Sequence, residues 1–589
     1  MKNSSLSSLV QPKAATSTKH RLWVWAAQPL WAYLMLFLLQ LKVTWGDWQY
    51  RDLTRGDTAD YFAMADLWFR EWVLNILWSP LYTAFYGTIL YFSSDAYQVT
   101  IVHRLIIVFA VALLLLVLWR QLLPAELAWL LAAWWVINPH NFGVLVEVHL
   151  FAVIPLALAV WLPLYRPAPW TRGSAIAILV GAAILVRNEL ILAAGLLALL
   201  SIGWDVWQWR RTERSGYRPG VTYLLSYGLP LTISLLIIGF FYSRSALQFP
   251  ELLAGSRDKE TLTFCQIYAV GYKQRHPDWA NDPWLHCWGL MDQQFGQTHV
   301  SLREAINRNP AAVLDHVRWN AILLPTALQV GLFGATSGSL NPKYLPISTE
   351  NSILLLPTIV VSLTILLGLF YLYKDWAYWW ANGLKQRVWG WLTLLAITGA
   401  NLVTAIVIHP NPEYLYGLTL FLMSLFGLSL WVISRRWFSS KRLSAAMPLV
   451  MVLSLFFLPN YYSNPKHIRP RQLHDIYQRL APFMQIVNKG ETVLLGSEAG
   501  QVCNYFGYGQ CQGIEYHTLL SHLSEQSPLN FLDEEGVNLI YMDETLKSIL
   551  LQLNPSAAKQ FFNQPADFGW KLVAGQEENN SQWMIFARQ

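Results

Sequence analysis

Long apolar runs joined by short polar connections fill residues 22–459. Spanning segments are read near 22–45, 98–119, 125–140, 144–164, 173–188, 190–208, 221–242, 352–373, 388–408, 414–434 and 444–459. They cluster around the ~20 residues that a helix needs to cross a bilayer core. One further apolar piece, AILLPTALQVGLFGA (321–335), is shorter and leads into Gly, Ser and Pro. If it spanned, the loops 374–387 and 435–442 would change sides, so an interfacial or re-entrant helix is expected there. Residues 460–589 differ in kind. They hold no apolar run of spanning length, and the β-rich strings ETVLLG, VNLIYMD and WMIFAR alternate with helical or loop stretches. That alternation predicts a small α/β domain.

The predicted architecture is a polytopic α-helical membrane protein of about eleven transmembrane helices with an extracytoplasmic α/β domain. Residues 1–21 form a polar, disordered-looking N-terminus, 22–459 the membrane domain with long outside loops at 46–97 and 243–351, and 460–589 the tail. No cleavable signal peptide is apparent, and the first apolar run is long enough to stay in the membrane. No internal repeat is visible.

Composition agrees. Hydrophobic residues make up 54% of the 589 and charged ones 13%, about half the charge of a soluble protein. The 30 Trp and 27 Tyr suit interfacial belts. The net charge of +6 reads as topology once it is mapped. With a cytoplasmic N-terminus, the inside segments carry 18 Lys and Arg against Glu213 and Asp375 as the only acids. The outside loop 46–97 carries three Arg and seven acids. This is the positive-inside asymmetry, and it makes nucleic-acid binding an improbable use of the excess charge. The absence of a retention signal at the end of the chain favours a bacterial plasma membrane.

All four cysteines fall in outside segments: Cys265 and Cys287 in the long loop, Cys503 and Cys511 in the tail. Two local pairs on the oxidising side predict two disulfides, and their spacings do not fit a zinc site. GSEAG (496–500) lacks the Lys-Ser/Thr of a phosphate loop, so a plain strand-to-helix turn is expected.

The candidate chemistry lies at the outer ends of the spans. DTADYFAMADLWFREW, from Asp57, has apolar residues at helical spacing and predicts an amphipathic helix on the membrane face. Asp57 stands at or near its N-cap and Asp60 in its first turn, a structural role that leaves a carboxylate rigid and able to accept a proton. WSPLYTAFYG then brings Pro80 and Tyr82 back toward the membrane. Glu147, Arg187 with Glu189, and His409 with Glu413 sit at other outer ends. Arg187 and Glu189 could simply neutralise each other, but acids and bases from four loops share one face. Carboxylates beside an Arg at the water boundary suit deprotonation of a hydroxyl and expulsion of a phosphate. His140 and His149 flank Glu147 without the spacing of a zinc motif.

At these residues the chain resembles the C-type membrane glycosyltransferases, the group of protein O-mannosyltransferases and the lipid A aminoarabinose transferase. Those enzymes take a sugar from a polyprenyl-phosphate carrier. They place an Asp in the first outside loop, often as Asp-Glu-x-x-Tyr, followed by a helix and a Pro-Pro-x-Tyr-like re-entry. Here the matching residues are Asp57-Thr58-Ala59-Asp60-Tyr61 and Ser79-Pro80-Leu81-Tyr82. Glu147 resembles the family's Glu at the start of the fourth span, and Arg187 the Arg of its L-x-R-x-E/D turn. The outer-face C-terminal domain is also similar. Two departures stand out. Thr58 replaces the usual second acid, and Glu413-Tyr414 stands where the family often has Arg-Tyr, so Arg187, Lys343 or His409 would have to meet the phosphate.

The resemblance implies an inverting transferase at the outer face. Asp57 is the base, with Asp60 and Glu147 orienting it or the acceptor. Arg187, with Lys343 as a second cation, holds the carrier phosphate, and Glu189, Tyr61, Tyr82, His409, Glu413 and Tyr414 line the substrate site. No cofactor is required, and a divalent ion between Asp57 and Asp60 is compatible with the chemistry. The expected partners are a polyprenyl-phosphate sugar, membrane lipid, and an acceptor that is protein, lipid or glycan. A transporter or flippase of a lipid-linked or anionic solute is the rival reading, and it would place charges near mid-span. A non-catalytic envelope assembly protein, with Asp57 only a cap, is the third.

Overall fold

The computed structural model describes residues 29–46, 48, 52, 57–93, 95–143, 147–211, 221, 223–246, 256–338, 349–437, 440–458, 472–484, 492–507, 510–515, 528–578 and 581–588. The membrane half runs α1 (Pro29–Thr44), α2 (Asp57–Glu71), α3 (Pro80–Ile89), α4 (Ala96–Leu122), α5 (Ala125–Ile137), α6 (Glu147–Tyr165), α7 (Pro169–Leu185) and α8 (Leu190–Arg211). A π-helical turn, Leu224–Gly228, leads into α9 (Leu229–Ala246). Then come α10 (Ser256–Arg275), α11 (Pro283–Phe295), α12 (Leu302–Arg308), α13 (Pro310–Phe333), α14 (Leu355–Lys374), α15 (Lys385–Val407), α16 (Tyr416–Trp437) and α17 (Ser440–Phe457).

Local signals set many of these boundaries. Asp95 caps α4, its carboxylate accepting from the N–H groups of Tyr97 at 2.9 Å and Gln98 at 3.3 Å. Pro124 separates α4 from α5, and Ser301 with Glu304 forms a capping box for α12.

Each of the apolar stretches read from the sequence coincides with a helix. Seven of these helices are long and apolar enough to cross a membrane, and three shorter apolar ones, Leu30–Thr44, Ala125–Ile137 and Pro169–Leu185, lie among them. α14 shows what surrounds the bundle. Gly368 is its one buried residue, while Leu356, Leu363 and Leu366 are more than half exposed. An apolar surface of that extent fits lipid and is costly in water, so the protein is a multi-pass integral membrane protein. Gly368 lies directly on Ser429 of α16, where a Cβ would collide, the close approach that small residues permit between membrane helices.

The piece at 321–335 belongs to a longer helix than expected, because α13 starts at Pro310 with Asn309 as its cap. Near its middle, Asn320 bonds the carbonyls of Ile406 and Ile408. Near its end, the carbonyls of Gly331 and Leu332 accept from Asn138 and Trp134, each at 2.7 Å. Residues 320 and 331 are about 16 Å apart along the axis at 1.5 Å per residue. Both regions nevertheless meet the same end of the bundle, where Tyr416 reaches the His140 carbonyl at 3.5 Å. α13 therefore lies along that end of the bundle, as an interfacial helix does.

α10, α11 and α12 pack a separate small core, and Cys265–Cys287 joins the first two with Cα atoms 5.4 Å apart. The tail is the expected α/β domain. α18 (Gln472–Met484) precedes β1 (Thr492–Gly496), α19 (Ala499–Phe506), β2 (Cys511–Glu515), β3 (Leu539–Met542), β4 (Trp570–Glu578) and β5 (Ser581–Arg588). The sheet order is β2-β1-β3-β5-β4, with β1 parallel to β2 and β3, and β5 antiparallel to β3 and β4. GSEAG is the plain turn from β1 into α19. The second disulfide, Cys503–Cys511, ties α19 to β2 with Cα atoms 5.2 Å apart. One face of the sheet holds its own core around Phe531, Trp570 and Phe586. The other joins the membrane half's core through Leu473, Leu494, Val502 and Leu539.

Candidate active site at one end of the bundle

α2 begins at Asp57, where the sequence places it. The Asp57 side chain lies outside the described residues, so neither its cap nor its role as a base is seen directly. Thr58 and Ala59 are buried and Asp60 is half-buried. Next along the helix, the Tyr61 hydroxyl lies 3.2 Å from Ser79 Oγ, which donates to the Val186 carbonyl at 2.9 Å. Ser79 stands at the N-cap position of α3 without a side-chain cap bond, in the left-handed region at φ 47°, a costly conformation for a residue with a Cβ, and Pro80 follows at the first helical position. This chain of contacts fastens the first turns of α2 to the α7–α8 turn that carries Arg187. Tyr82 is fully buried, with its hydroxyl 3.1 Å from His103 Nε2 and its ring 5.1 Å from that of Tyr61.

Arg187 is the centre of the cluster. Its Nε donates to Glu189 Oε1 at 2.8 Å, so the mutual neutralisation anticipated from the sequence does occur. The guanidinium reaches further, though. Nη1 meets His149 Nε2, and the cation lies 4.7 Å from the centre of the Tyr414 ring, on which the His149 imidazole stacks at 5.0 Å. Three connections thus converge: the start of α6, the α7–α8 turn and the α15–α16 loop. His149, Arg187, Glu189, Glu413, Tyr414 and Tyr416 line a small cavity. A guanidinium has five donors, and among the described residues none of the Arg187 bonds uses Nη2. The cluster therefore keeps donors in a fork suited to a phosphate or carboxylate.

Glu147 lies beyond Tyr416, in an adjoining small cavity shared with Arg104, His140, Asn141 and Tyr416. Its carboxylate is ion-paired to Arg104 of α4, and both side chains are almost completely buried. His140 and His149, weighed together with Glu147 from the sequence, serve different partners here. His409 does not reach the Arg187 cavity's lining: its Nδ1 lies 3.3 Å from Asn320 Oδ1, holding the α15–α16 loop against α13. Lys343 lies outside the described residues.

Sequence reading missed Arg104 and Asn320. An arginine inside TIVHRLIIV is a signal in its own right, because an ionisable group in an apolar run needs a partner. The same signal marks Arg172 and Asp205, which pair at 2.7 Å toward the opposite end of the bundle under Trp389, with the Tyr227 hydroxyl donating to Asp205 at 2.8 Å. Asn320 had no such mark, since a lone Asn is ordinary in a polar loop.

No family profile matches the chain, and no curated protein sequence matches it. Solved structures do. The oligosaccharyltransferase of Archaeoglobus fulgidus in its apo form is 13% identical over 88% of this chain and 70% of its own, with a TM-score of 0.39. The same organism's AglB, in complex with an inhibitory peptide and a dolichol-phosphate, is 12% identical over 90% of this chain and 72% of its own, with a TM-score of 0.38. At this distance the chain is similar to these oligosaccharyltransferases along most of its length.

Proposed function

We propose that this protein is an inverting glycosyltransferase that moves a sugar from a polyprenyl-phosphate carrier to an acceptor hydroxyl at the outer face of the membrane. The observation that carries the reading is the convergence of Arg187, His149 and Tyr414 on one cavity, fastened through Ser79 and Tyr61 to the helix that bears Asp57 and Asp60.

In this reading Asp57 takes the acceptor's proton as the hydroxyl oxygen attacks the anomeric carbon. The bond from that carbon to the phosphate oxygen breaks, and its electron pair leaves with the polyprenyl phosphate. Arg187 meets the departing anion with donors from a largely buried site, where a fixed charge is screened little by water. Lys343 is placed by the reading as a second cation. Asp60 and the Arg104-bound Glu147 orient the acceptor or the base. Leaving-group departure as a stabilised anion requires no metal, and a divalent ion held by Asp57 and Asp60 is compatible with it. The 243–351 segment covers the carrier, and the tail helps recognise the acceptor.

The test is transfer from radiolabelled polyprenyl-phosphate sugars by membranes carrying wild type or Asp57→Asn. Asn keeps the cap and cannot take a proton. Loss of transfer with normal expression supports the base and identifies the sugar. Equal transfer by both removes Asp57 from the mechanism, and no transfer by wild type from any donor removes the function.

A further inference from the structure

The tail and the first outside loop are locked together at a point that the proposed chemistry does not use. Asp52 precedes α2 and is buried. Its Oδ2 accepts from the backbone N–H groups of Leu473 at 2.8 Å and His474 at 3.2 Å, so it supplies the first turn of α18 with a cap from a residue more than four hundred positions away. Its other oxygen accepts from the Tyr505 hydroxyl of α19. The residue beside Tyr505, Asn504, donates through Nδ2 to the carbonyl of Ala59 at 3.3 Å. Ala59 lies between Asp57 and Asp60. A contact from the tail therefore ends on the backbone of the turn assigned to catalysis.

The donor side of this contact is rigid. Cys503 adjoins Asn504, and its disulfide to Cys511 pins the helix bearing Asn504 and Tyr505 to strand β2. Burial raises the Asp52 carboxyl above its usual range, while the bonds from Tyr505, His474 and Leu473 pull it back toward ionisation. A buried carboxylate with three donors is stable only while all three stay in place, which couples the two segments tightly.

We propose that the C-terminal domain positions the catalytic turn: Asp52, Asn504 and Tyr505 form a clamp that holds residues 57–60 at the geometry the reaction needs. The clamp residues are positioning residues and touch no substrate. The proposal rests on the transferase reading for its kinetic consequence, and on the contacts alone for its structural one.

The experiment uses full-length protein in lipid nanodiscs, comparing wild type, Asn504→Ala, Tyr505→Phe and Cys503→Ser/Cys511→Ser. Hydrogen exchange is followed at the amides of residues 58–63, and transfer kinetics are followed with the radiolabelled donor. Loss of one net hydrogen bond shifts a local opening equilibrium by about 2- to 12-fold, so exchange in 58–63 should accelerate by that factor in Asn504→Ala. The companion expectation is a lower kcat with an unchanged KM for the donor, because the donor's phosphate cluster around Arg187 is untouched. Unchanged exchange at 58–63 in all three variants overturns the clamp, whatever happens to activity. So does a loss confined to KM for the acceptor, which would make the tail a substrate contact. If no donor is used by any form, the transferase reading fails while the exchange data still decide the clamp.

Discussion

The guanidinium of Arg187 lies 4.7 Å from the centre of the Tyr414 ring and joins two turns far apart in sequence. The ring has a negative face that fixes a cation without neutralising it, so Arg187 is oriented while its outer donors stay available for an anion. Replacing Tyr414 by Leu removes a contact of about 0.5–2 kcal/mol and frees the guanidinium to rotate. The Michaelis constant for the donor should rise by about 2- to 30-fold, while the fold, read by thermal unfolding in detergent, stays intact.

Arg104 and Glu147 make a different kind of pair. Both are buried, so each depends on the other to offset its desolvation. Arg104→Met and Glu147→Leu should each destabilise by about 3–5 kcal/mol, whereas the double replacement should recover most of that loss. Thermal midpoints of the two single variants and the double variant test this directly. A double variant as unstable as the sum of the singles would show that the ion pair is not what each charge depends on.

α13 offers a pH dependence. His316 Nε2 donates to the Ile408 carbonyl at 2.9 Å, while Nδ1 is buried with no partner among the described residues. Burial pushes this imidazole down from 6.5 to about 3, helped by the nearby charges of Arg275 and His409. Between those values the unfolded chain binds a proton that the folded one refuses, so stability rises with pH across that window. Wild type should lose thermal stability as pH falls below about 6.5, and His316→Gln should flatten that loss. Parallel pH profiles for both proteins would show that His316 is not responsible.

The helices were legible because a bilayer imposes length and apolarity on each span, a constraint visible in every run. Arg187, Glu189, Glu413 and Tyr414 were legible for a related reason: polar groups interrupting the ends of such runs are costly unless they meet. Who meets whom was not. Nothing in the order of residues pairs Arg104 with Glu147, since the pairing depends on how α4 and α6 rotate against each other. Asp52 was hidden more deeply, because its donors are backbone groups of α18, which carry no signature in sequence. In the tail, VNLIYMD and WMIFAR announce strands by their β-branched and aromatic residues. CQGIE and the polar end of WKLVAGQEE do not, and they are strands only because β1 and β5 present edges for them to pair with.

The central claim is that the Arg187 cavity receives the carrier phosphate. The measurement is the affinity of purified protein for a polyprenyl monophosphate, comparing wild type with Arg187→Gln, which keeps polarity and loses the charged fork. A charged hydrogen bond is worth about 1.5–3 kcal/mol, so the dissociation constant should rise by about 12- to 150-fold in the variant. Equal affinity in the two proteins would contradict the claim and place the carrier phosphate elsewhere.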